Sequence, residues 1–84
     1  VNLLHGGTRM GMDEVVRQLR MTIHDAQVAF DCIGLGEIER AGNCMITARA
    51  ALEAAETVLR HDLRRFPLAE LAGEGAKVMA AMGD

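Results

Sequence analysis

Between Met12 and Ile33 the apolar residues fall at Met12, Val16, Leu19, Ile23, Ala26, Phe30 and Ile33, in alternating steps of four and three. That is the heptad period of a helix packing lengthwise against other helices. A second seam follows at Ile38, Ala41, Met45, Ala48, Leu52, Ala55 and Leu59. The link between the two helices is only Gly34-Leu35-Gly36, and so short a link turns the second helix back antiparallel beside the first. The second seam alternates large residues with alanine, which lets two helices approach near the low end of the usual spacing of about 8–10 Å.

Composition agrees with an all-α fold. Half of the 84 residues are apolar, yet only Phe30 and Phe66 are aromatic. Such a core is aliphatic and suits long helices better than a β-sandwich. A chain this short buries only about 60–65% of its unfolded surface, so completion of the bundle by self-association or by a partner is expected. The net charge of −3 and the absence of Trp and Tyr give nucleic-acid binding little support. No apolar run approaches the roughly 20 residues of a membrane span, and no basic stretch followed by an apolar core reads as a secretion signal. Cys32 and Cys44 lie outside any CxxC or Cys/His cluster, which fits free thiols in the cytoplasm.

Taken in order, residues 1–10 read as a flexible lead-in, with Gly6-Gly7 as a hinge. Residues 11–84 read as one helical domain, with helices near 12–33, 37–62 and 67–82. Asp13 and Glu14 favour the first helix's N-terminus, and Asp13 is placed to pair with Arg17. Gly34 is placed to take the left-handed conformation that ends this helix. Arg60, Arg64 and Arg65 put cations at the second helix's C-terminus, and Pro67 opens a shorter third helix weakened by Gly73 and Gly75.

If Val16, Ile23 and Phe30 face the partner helix, Met21 and Val28 face directly away from it. Two apolar residues one heptad apart on an outer face imply that this face is covered, beneath the third helix or in a homodimer. Flexible thioethers suit an adaptable binding surface, so Met79 and Met82 join Met21 and Val28 as candidate partner-binding residues. His5, His24 and His61 are far apart in sequence, and neither a metal site nor a cofactor is expected. The acidic residues sit at helix ends or on polar faces and nominate no catalytic pair.

Two local strings resemble known families. Glu37-Ile-Glu-Arg, Met45-Ile-Thr-Ala and the seam from Leu52 to Leu59 resemble the second helix of the flagellin export chaperones. Their preceding helix carries a Tyr-Asp-Gly-Ala-like string, where this chain has His24-Asp25-Ala26. That resemblance implies a small helical bundle that holds another protein by its helices. Residues 23–35, with His24 and the break after Ile33, resemble the acceptor helix of histidine phosphotransfer domains. There the family has a basic residue and a glycine where this chain has Gln27 and Val28. That resemblance implies phosphoryl transfer through His24. The expectation drawn from the residues is a non-enzymatic protein–protein interaction module, an adaptor, chaperone or inhibitor. His24 phosphotransfer is the alternative.

Overall fold

The computed structural model describes residues 10–82, in three helices: α1 (Met12–Gly34), α2 (Ile38–Arg65) and α3 (Leu68–Met82). No strand occurs among these residues, and the fold is all-α. The lead-in expected at residues 1–10 lies almost wholly outside the described residues. The helices build a rod 49 × 25 × 24 Å. Its length is set by α2, whose 28 residues span about 42 Å at the usual rise.

The turn between α1 and α2 corrects one expectation. The left-handed residue is Gly36, at φ +79, whereas Gly34 remains the last residue of α1. The Gly36 N–H donates to the Ile33 carbonyl at 3.1 Å and the Glu37 N–H to the Cys32 carbonyl at 2.9 Å. Those two bonds satisfy carbonyls that the helix end leaves open, and they require the positive φ one residue beyond the cap, Leu35.

α2 continues past the expected stop near Asp62 to Arg65. Phe66 then adopts an extended conformation, φ −130 and ψ 148, as a residue before proline does. The Pro67 carbonyl accepts from Glu70 and Leu71, starting α3. Leu71 is buried, and Gly75 lets the Met12 methyl approach to 3.3 Å of where a β-carbon would stand. The third helix therefore folds back onto the start of α1 within the same chain.

The contact between α1 and α2 is not the one the periodicity predicts. The α1 residues turned inward are Val15, Gln18, Thr22, Asp25, Ala29 and Cys32, all buried or half-buried. This is the predicted seam displaced by one residue along its whole length. On α2 the inward set is Ala41, Cys44, Ala48, Ala51, Ala55, Val58 and Asp62. The alanines of the predicted seam face inward as expected, but three of its four large members do not: Ile38, Met45 and Leu52 are exposed, while Leu59 is half-buried. Two helices brought close by a row of alanines leave no room between them for Ile, Met or Phe. The small and polar residues take the interface. Thr22 settles its hydroxyl on the Gln18 carbonyl at 2.9 Å, and the Gln18 amide donates to Glu14 at 2.8 Å. Arg17 pairs with Glu14 rather than with Asp13.

Candidate functional site

The one-residue rotation turns the large apolar residues of both helices to the same flank of the hairpin. Leu19, Ile23, Phe30 and Ile33 line it from α1, and Ile38, Met45 and Leu52 from α2. Their exposures run from 38% at Leu19 to 76% at Phe30, far above what a packed seam would leave. Between the helices the flank sinks into a groove of about 360 Å³ lined by Ala26, Ala29, Phe30, Ile33, Met45 and Ala48. The two buried alanines among them, Ala29 and Ala48, form its floor, because neither reaches past Cβ. A shallower extension runs along α1 past Ile23 and Gln27.

The same α1 stripe begins at Met12 and Val16, and there it is covered. Val16 is 6% exposed, against 68% for Ile23 one heptad later. The cover is α3, which meets α1 at Met12 through Gly75 and turns Leu71, Val78 and Met82 inward. Fifteen residues of α3 give about 22 Å of cover, too little for the 23 residues of α1. The flank is therefore closed at one end and open over the half nearest the α1–α2 turn.

None of the candidate partner-binding residues Met21, Val28, Met79 and Met82 lines the groove, nor does His24. Met21 and Val28 do not point directly away from α2, as the unrotated seam implied. The rotation brings them beside the interface on the flank opposite the groove, with Val28 half-buried and Met21 47% exposed. α3 therefore does not bury Met21. Met79 is exposed on α3 and Met82 is half-buried against the bundle. His24 stands on the outer surface of α1, its side chain 77% exposed, with Nδ1 3.3 Å from the Asp25 carboxyl. Five of the six groove residues are members of the predicted seams; periodicity marks them as sharing a face but does not say that this face looks away from the neighbouring helix.

The ion pairs among the described residues lie on exposed side chains. Glu14 is held below its ordinary pKa by its hydrogen bonds from Gln18 and Arg17. Burial pushes the Cys32 thiol up. Cys32 and Cys44 are both free. Arg60 pairs with Glu56 within α2 and Lys77 with Glu74 within α3, while Arg40 pairs with Glu37, the cap of α2. Arg65 lies over the Phe66 ring at 5.8 Å. Among the described residues no group of His, Cys, Asp and Glu is placed to hold a metal ion, and no helix is long and apolar enough to cross a membrane.

Comparison with protein-family models, curated proteins and solved structures gives no match for this chain.

Proposed function

We propose that this chain is a non-enzymatic protein–protein interaction module, an adaptor, chaperone or inhibitor of the cytoplasm, and that its binding surface is the groove flank of the α1–α2 hairpin. One observation carries the reading. Large apolar residues of two helices are aligned on one flank and left open, when the same stripe is packed under α3 at its other end. Aligned exposed apolar surface on a small chain marks an interaction site. A groove between helices with an apolar wall on each side takes another helix by its own apolar face. The two free thiols fit a reducing compartment.

The test is photo-cross-linking in the source cell, with p-benzoylphenylalanine in place of Phe30 and, as a control, in place of Arg64. The expected result is a protein adduct at position 30 and none at position 64. No adduct at position 30 overturns the reading.

A further inference from the structure

We propose that the occupant of the groove flank is a second copy of this chain, docked through a two-fold axis near Ala26 to complete a four-helix bundle; this rests on the interaction-module reading above.

The first argument is geometric. A helix in a four-helix bundle turns its largest residues to the central axis between two layers, not at its neighbour in the same layer. That is where the one-residue rotation leaves them here. The hairpin is one layer with alanines between its helices, and the open flank is the half of a core that faces the missing layer.

The second argument is the spacing. A two-fold interface must be self-complementary, so that a residue before the axis meets one after it. On α1, Ile23 and Phe30 stand symmetrically about Ala26 and Gln27, while Leu19 and Ile33 are equally distant from Ala26. On α2, Met45 and Leu52 straddle the level of Ala48, which shares the groove with Ala26. An antiparallel copy therefore sets Ile23 against Phe30 of the partner subunit, Leu19 against Ile33 of the partner subunit, and Met45 against Leu52 of the partner subunit. Ala26, small enough to admit close approach, falls at the centre.

The third argument is area. At on the order of 200 Å² for a large side chain, an aromatic's scale, the exposed fractions along the flank amount to about 800 Å². A standard stable interface takes about that much from each partner.

Sedimentation tests the proposal on the whole chain. The expected mass is twice 9.1 kDa. Changing Ile23→Glu together with Phe30→Glu touches residues exposed in the single chain, and is expected to weaken association at least tenfold, leaving a helical monomer. Should that variant unfold, cross-linking decides. Chain carrying p-benzoylphenylalanine at position 30 is mixed with isotope-labelled wild type. A labelled adduct attached near Ile23 of the partner subunit supports the bundle. Attachment to residues 1–9 of its own chain assigns the face to that segment and overturns it. So does a wild type that stays monomeric at about 100 μM, above the weak end of the range such an area supports, and so does a dimer mass that survives the double change. A monomer that still cross-links to another protein in cells removes the second copy but keeps the interaction module. A monomer that cross-links to nothing removes both.

Discussion

The backbone N–H of Gly11 donates to the carboxyl group of Asp62 at 2.7 Å, across 51 residues of sequence. Gly11 is the cap of α1 and has no side chain to satisfy its own helix start; Asp62, 2% exposed near the end of α2, reaches across instead. The approach is close because a β-carbon on Gly11 would lie 2.5 Å from the Val58 Cγ1 methyl. Gly11→Ala is therefore expected to cost about 1–3 kcal/mol by overpacking. Asp62→Ala should cost about as much, because it strands a half-buried donor. Thermal melts of both variants and their double mutant check this. The double mutant should lose less than the sum, since both changes break one contact. Additive losses would mean that the two residues act separately.

Alanines along α2 set the spacing of the hairpin, but they do not all face the same thing. Ala55 is 2% exposed and enclosed by α1, whereas Ala48 borders the groove. Ala55→Leu should lower stability by about 1–3 kcal/mol, a drop of several degrees in Tm. Ala48→Leu should cost less, since its side chain has open groove to lean into. Equal losses would show that the groove is not open beside position 48.

Among the described residues His24 makes one polar contact, with Asp25, and its side chain is largely exposed. His24→Ala should change stability by no more than about 0.5 kcal/mol and leave self-association intact. Incubation with acetyl phosphate is the sharper measurement. Stable phosphoryl incorporation that disappears in His24→Ala would establish the phosphotransfer chemistry that residues 23–35 resemble.

The two thiols should separate kinetically. Cys32 is 3% exposed and its pKa is raised from 9.0 by burial, while Cys44 is half-buried. Alkylation with iodoacetamide at neutral pH, followed by peptide mass spectrometry, should label Cys44 first, because the thiolate is the reactive form. The sign of the linkage follows from the direction of the shift. The stability contribution of the Cys32 proton is complete below the unfolded thiol value and is lost as pH rises through the folded one. Cys32→Ala should flatten the alkaline limb of the stability profile, and an unchanged limb would count against it.

Which residues share a face was legible in the sequence; which way each face points was not. The heptad rows of α1 and α2 are both present, and Pro67 stops α2 as its chemistry requires. Periodicity fixes the relative azimuth of Leu19, Ile23 and Phe30 but not their direction in space. That direction was decided by Ala41, Ala48, Ala51 and Ala55, which bring the helices too close for bulky residues to lie between them. The Gly11–Asp62 contact left no local trace either, because its two halves lie at opposite ends of the hairpin's sequence. Gly34 and Gly36 were two candidates for one role, and only the hydrogen bonds of Gly36 and Glu37 distinguish them.

A heptad stripe carries an ambiguity of its own: slid by seven residues, it offers the same pattern again. The cover that α3 places over Met12 and Val16 removes that ambiguity. A helix entering the open flank and displaced one heptad toward the start of α1 would run into α3 where Gly75 lies against Met12. The third helix thus works as a register stop. For a helix docked on that flank it would leave one length of surface and one setting, and for a second copy it would bar the open-ended stacking that a repeating stripe otherwise permits.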